Sequence, residues 1–309
     1  AMKHCHAVVS TRSVPFLAAL AFASACVGDD PGPSATPAVD GGAETGTAPT
    51  DAGTPPAFPL ATCIVHLVAD EVAGDSGASV TSWVSSCPGT TTLFKATGSA
   101  PVVGQTLGGH RTVSFGDATP LVASALALPK TSSVFAVVRL GSAANGPGRI
   151  LVTGAPGAND APAVEYLQLA LNTAADPALR KARFTHAVNC VGWSQSRDCV
   201  VDTEAVIPDF MAPTGAFSLV GRVDGTAISV ATAAGSQSSA IKTLARTAGV
   251  TIGAGYGVPA TGTAPLVGSG IRGDVAEIVI GENLSADESR ALSSYFSQKY
   301  GSTTAFVVK

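Results

Sequence analysis

Arg272–Tyr300 reads RGDVAEIVIGENLSADESRALSSYFSQKY, and it runs through a strand, a turn and a capped helix in direct succession. Asp274–Ile280 alternates, with Val275, Glu277 and Val279 expected on one face and Ala276, Ile278 and Ile280 on the other. Val and Ile favour such a pleated, half-buried run. Gly281–Leu284 turns the chain. Ser285 then opens a capping box with Glu288, in which each side chain satisfies an otherwise orphaned amide at the other's position. Leu292, Tyr295, Phe296 and Lys299–Tyr300 fall on one helical stripe, and Gly301 is a natural stop.

Working back from this stretch, short runs of β-forming residues recur between Gly- and Pro-rich turns. They predict strands at Ile64–Val68, Val80–Trp83, Thr91–Lys95, Arg111–Phe115, Val134–Leu140, Arg149–Thr153, Val164–Leu169, Phe184–Asn189, Phe217–Val223, Ile228–Ala231 and Val250–Ala254. Asp224-Gly225 between two alternating runs marks Phe217–Ala231 as a hairpin. Many short strands with regular turn signals indicate an all-β sandwich. The final helix is expected to cover an edge of it.

Several of these stretches share a resemblance. Gly273-x-x-Ala276-Glu277-Ile278-x-Ile280, a short turn, Leu284-Ser285-x-x-Glu288 and a helix ending Lys299-Tyr300-Gly301 look like the C-terminal end of bacterial LamG-like domains. Ile64–Asp70 resembles their first strand with its terminal acidic residue, and Val80–Trp83 their V-x-x-W segment. Arg111–Phe115 followed by Ser133–Leu140 (SVFAVVRL) resembles their paired strands. The resemblance spans Cys63 to Gly301, with Gly281-Glu282-Asn283 in place of a Tyr-Asp-Arg type of turn. It implies a concanavalin A-like jelly-roll β-sandwich with one C-terminal helix packed on it, and a carbohydrate or protein ligand.

Composition narrows the classes. Charged residues make up 13% of the 309-residue chain, against about 25% in ordinary soluble domains. Mean hydropathy is +0.33, yet beyond Cys26 no apolar run approaches the ~18 residues that a spanning helix needs. A net charge of −4, with 18 Lys and Arg and no basic cluster, argues against nucleic acid as a partner. At the N-terminus, Lys3 and Arg12 precede the apolar stretch Val14–Ala25, which has the length of a signal-peptide core. Phe22-Ala23-Ser24-Ala25-Cys26 resembles a bacterial lipobox, although Ala23 stands where leucine is usual. That resemblance implies lipidation of Cys26 and a membrane anchor at the outer membrane or cell surface. The other reading is an ordinary signal peptide cut near Ala25, giving a periplasmic or secreted protein. The expected organisation is residues 1–26 as signal segment, 27–60 as a Pro-, Gly-, Ala- and Thr-rich linker without periodicity, and 61–309 as the folded domain.

Cys5 leaves with the signal segment, which leaves Cys63, Cys87, Cys190 and Cys199, an even number in an exported chain. Three connectivities are open. The simplest pairs Cys63 with Cys87 and Cys190 with Cys199. No Cys or His spacing suggests zinc. No cofactor is implied, and calcium is left open.

Gly74-Asp75-Ser76-Gly77 copies the segment around a serine-protease nucleophile, but it lacks the flanking residues and reads as a turn. Arg272-Gly273-Asp274 opens a strand. Asn283-Leu284-Ser285 is a glycosylation sequon whose serine is better used as a helix cap. Gly253-Ala254-Gly255-Tyr256-Gly257 lacks the helix that a phosphate cradle needs. Retaining glycanases need two carboxylates about 5–5.5 Å apart, and the spacing of Asp274, Glu277 and Glu282 argues against a shared face. Glu277 is expected to pair with Arg111 or Arg139. His66, His110 and His186 read as strand or turn residues. The binding candidate is the loop Cys190–Cys199, CVGWSQSRDC. Trp193 offers an aromatic face, and Gln195, Arg197 and Asp198 offer oriented hydrogen bonds, the chemistry of a sugar site. The expectation is therefore a binding protein outside the cytoplasm. The alternatives are a divergent glycan-cleaving enzyme and a purely structural envelope protein.

Overall fold

The computed structural model describes residues 56–116, 119–140, 146–153, 166–173, 181–187, 200–206, 217–224, 227–232, 235–240, 249–253, 255–257, 266–268 and 270–301, all within the unit Ala52–Lys309. The described strands are β1 (Val65–Val68), β2 (Ser82–Val84), β3 (Leu93–Ala96), β4 (Val102–Val103), β5 (Val113–Phe115), β6 (Leu121–Ala123), β7 (Thr131–Leu140), β8 (Gly146–Thr153) and β9 (Tyr166–Thr173). They continue as β10 (Lys181–Ala187), β11 (Val200–Val206), β12 (Phe217–Asp224), β13 (Ala227–Thr232), β14 (Gly235–Ala240), β15 (Val250–Ile252), β16 (Gly255–Gly257), β17 (Leu266–Gly268) and β18 (Gly273–Glu282). Helix α1 (Ala286–Tyr300) closes the described chain.

Two eight-stranded antiparallel sheets form. One runs β14-β13-β12-β7-β18-β5-β4, with β1 also paired to β18; the other runs β11-β10-β9-β8-β15-β6-β3-β2. Strand β18 is the spine of the first. Strand β7 lies along one side of it, and β5 followed by β1 along the other. The sheets share one core, with Val65, Leu67, Val134, Ala136, Val138, Ile278 and Ile280 from the first against Trp83, Phe94, Leu121, Leu151, Leu169 and Phe184 from the second. Close approach matters at Gly221 on β12, where a Cβ would stand 2.6 Å from the Phe184 ring. A β-sandwich is thus present. Trp83 is in its core, and its indole N–H donates to the Val68 carbonyl at 3.1 Å.

The helix corrects one expectation. It packs on a face of the first sheet, not on an edge. Leu292, Tyr295, Phe296 and Tyr300 form a second core with Phe135 and Val137 of β7 and Ala276 and Val279 of β18. Residues Val134–Val138 are therefore fully buried on both sides, which explains why VFAVV is continuously apolar rather than alternating. The capping box forms as read: Ser285 Oγ accepts from the Glu288 amide at 3.2 Å, and the Glu288 carboxylate accepts from the Ser285 amide at 2.8 Å. Gly301 ends the helix in the left-handed region at φ 62°.

A second correction concerns the phase of β18. Val275 lies opposite Val138 and Glu277 opposite Val137, so Ala276 is an inserted bulge residue. A bulge sets two residues against one and breaks strict alternation. Val275, Ile278 and Ile280 face the sandwich core, whereas Ala276, Glu277 and Val279 face the helix. The grouping of Val275 with Glu277 and Val279 is overturned. So is the separation of Asp274 from Glu277, because the bulge leaves both on the outer face. Strands β4, β6, β11, β14, β16 and β17 were not anticipated. Strand β14 reads GSQSSA, which has no β-forming signal, and its order comes from pairing with β13.

Candidate functional site

The polar cluster under α1 is built around Glu277, whose side chain is 0% exposed. Strand β1 supplies His66, two residues before Val68, the register partner of Glu277. Because an ionised carboxylate only accepts, His66 Nε2 donates to Oε1 at 2.6 Å. The other imidazole nitrogen lies 3.3 Å from Ser86 Oγ, and Phe58 stacks on the ring at 3.8 Å. Helix α1 supplies the remaining donors from positions spaced by four and five. Lys299 Nζ donates to Oε2 at 2.8 Å, Tyr300 OH at 2.6 Å and Tyr295 OH at 3.4 Å.

A buried charge is tolerable only when it is paired and hydrogen-bonded. Burial alone would raise the Glu277 carboxyl. The His66 hydrogen bond and the Lys299 charge outweigh that and hold it below the ordinary glutamate value. Burial and then the charge of Glu277 push both Tyr295 and Tyr300 up, so the phenols remain donors.

The cluster opens toward the surface at Asp70, in the 3-10 turn Ala69–Glu71 that follows β1. Asp70 Oδ1 accepts the Arg111 amide at 2.7 Å, and Oδ2 accepts His110 Nδ1 at 2.7 Å and stands 3.9 Å from Lys299 Nζ. Gly108, at φ +58°, brings the 107–110 turn against the end of α1, where a Cβ would stand 2.8 Å from the Tyr300 carbonyl. His110 consequently meets the Tyr300 ring edge-on at 5.2 Å.

The expected arginine partners are corrected here. Arg139 pairs with Asp274 across the β7–β18 register, its Nε donating at 2.9 Å. Arg111 donates to the Val72 and Gly74 carbonyls, each at 2.9 Å. Glu277 takes His66 and Lys299 instead, because the bulge turns it toward the helix. The one signal in the sequence was a lysine at position 299 inside an otherwise apolar stripe. Gly74–Gly77 is a turn, as read, with Gly74 and Gly77 both at positive φ. Cys63 and Cys87 are bridged, with Cα atoms 5.6 Å apart. Cys26, Cys190, Trp193, Gln195, Arg197, Asp198 and Cys199 lie outside the described residues. The strands on either side of Cys190–Cys199, β10 and β11, form an antiparallel pair with Ala187 opposite Val200.

No family model matches the chain, and no curated protein does. Among solved structures it is similar to tailspike protein 2 of an Escherichia coli O157:H7 bacteriophage, at 13% identity and TM-score 0.42, covering 72% of this chain and 28% of that one. It is similar to a GH54 α-L-arabinofuranosidase at 10% identity and TM-score 0.48, covering 82% and 61%. It is also similar to the CBM40 of the Ruminococcus gnavus IT-sialidase bound to α2,6-sialyllactose, at 9% identity and TM-score 0.39, covering 57% and 93%. The chain thus spans about a third or less of the tailspike chains.

Proposed function

We propose that the protein is an exported, lipid-anchored binding protein of the cell envelope, on a sandwich of the concanavalin A-like jelly-roll type, with a carbohydrate ligand. The observation that carries the extracytoplasmic part is the Cys63–Cys87 bridge, since structural disulfides belong to oxidising compartments. It agrees with the signal-like segment before Cys26 and with the spacer at 27–60. Binding is favoured over hydrolysis by the state of the two acidic groups on the outer face of β18. Asp274 is held by Arg139, and Glu277 is 0% exposed beneath the helix with Lys299 and His66, so the two are not placed to flank a glycosidic bond as glycoside hydrolysis requires.

The ligand surface is assigned to the Cys190–Cys199 loop, which joins β10 to β11. Trp193 supplies stacking area and Gln195, Arg197 and Asp198 supply directional bonds. A bridge between its end cysteines would lower the entropy cost of binding.

The test is a glycan array probed with the secreted chain, followed by titration of any hit against Trp193→Ala. The expected result is binding without release of reducing sugar, and a loss of roughly tenfold or more in the variant, the scale of one buried aromatic contact. Unchanged affinity would remove the loop from the site, and sugar release would make the protein an enzyme. In the same cells, Cys26→Ser is expected to move the protein from the membrane fraction to the soluble one.

A further inference from the structure

We propose that Lys299 and Asp70 are joined by an intramolecular isopeptide bond, formed by the protein on itself with Glu277 as the proton carrier. Three observations meet at one place. The amine of Lys299 is withdrawn from solvent, its side chain 6% exposed, and stands 3.9 Å from Asp70 Oδ2. A second carboxylate, Glu277, is fully buried and accepts from the same Nζ at 2.8 Å. Both oxygens of Asp70 are held by donors, Oδ1 by the Arg111 amide and Oδ2 by His110, each at 2.7 Å.

A simple ion pair would not need this arrangement. Lys299 is already matched by Glu277 at hydrogen-bond distance, yet a second carboxylate is brought up to the same nitrogen. The rings of Tyr295 and Tyr300 stand 5.4 and 5.2 Å from Nζ and shield it from water. Solvation of the amine is disfavoured in such a place, while Asp70, its side chain 35% exposed, leaves the released water a way out.

The reaction balances within the three side chains. Glu277 takes a proton from the Lys299 ammonium, which frees the nitrogen lone pair, and passes it to Asp70 Oδ2, so that the amine meets a neutral carboxylic acid. The lone pair attacks Asp70 Cγ, and the charge that develops on Oδ1 is met by the Arg111 N–H. The N–Cγ bond forms and the Cγ–Oδ2 bond breaks. Oδ2 departs as water with two protons that began on the ammonium, one carried by Glu277. Glu277 ends as the carboxylate it was, and no oxidant, reductant or other reactant takes part. The new amide links the residue just after β1 to the last turn of α1, so it fastens the helix to the sheet it covers.

Mass spectrometry of the full chain, with its N-terminus and disulfides assigned, tests this directly. The expected mass is one water below that of the sequence, and digestion should give a branched peptide joining the Asp70 segment to the Lys299 segment. Wild-type protein at full mass, with both segments recovered as linear peptides, would overturn the proposal. Lys299→Arg is expected to keep the full mass while retaining the charge. Glu277→Gln is expected to form the bond about a hundredfold more slowly or worse, the size of a general acid–base contribution. A wild-type rate in that variant would overturn the role of Glu277. If the variant fails to fold, the wild-type mass still decides.

Discussion

Glu277 sits where no water reaches it, and its charge is carried by donors from two elements that meet only in the folded chain. Its stability contribution follows from linkage. The folded carboxyl lies below the ordinary value of 4.5, so near that pH the unfolded chain binds more protons than the folded one. The contribution is complete above 4.5 and is lost as pH falls through the folded value. The expected outcome is that Lys299→Arg, which retains the cation and forms no amide, is more stable at neutral pH than the same chain with Glu277→Gln. That gap should close as melting is followed into acid. A gap independent of pH would mean that the carboxylate charge is not its source. The sequence showed that Glu277 is a strand carboxylate needing a cation. It named the wrong cations because one inserted residue, Ala276, rotates the side chain from the expected face to the helix.

Helix α1 is the element whose every local signal was legible: cap, stripe and stop. These signals act within a few residues, so nothing distant is needed to interpret them. Its place on a sheet face was not legible, since a stripe reports that a helix buries one side and not against what. Energetics separate the two levels. Ser285→Ala removes the cap and is expected to cost about 1 kcal/mol. Leu292→Ala opens a cavity against the outer face of the first sheet and is expected to cost roughly 2–5 kcal/mol. Truncation after Glu282 exposes Phe135, Val137 and Val279 together and should give an aggregating or partly unfolded chain. Urea unfolding ranks the first two, and an unchanged melting temperature in the truncation would show the helix to be dispensable.

Over the whole domain, the Cys63–Cys87 bridge closes a loop with a sequence separation of 24. Loop entropy assigns it roughly 3 kcal/mol, so Cys63→Ser with Cys87→Ser is expected to unfold at correspondingly lower urea, while reduction of the wild type should reproduce the shift. The sequence by itself determined what depends on local periodicity and spacing: short strands between turns, the Phe217–Ala231 hairpin, the capped helix and the simplest partner for Cys63. Tertiary structure alone decided what depends on neighbours far along the chain. Strand β14 exists because β13 offers its edge, Gly221 because Phe184 fills the space above it, and the phase of β18 because β7 accepts a bulge. The meeting of His66, Asp70, Glu277 and Lys299 belongs to this second kind. Their spacing carries no pattern, because β1, its following turn, β18 and α1 converge only when a two-sided sheet buries one face in the sandwich and the other beneath the helix.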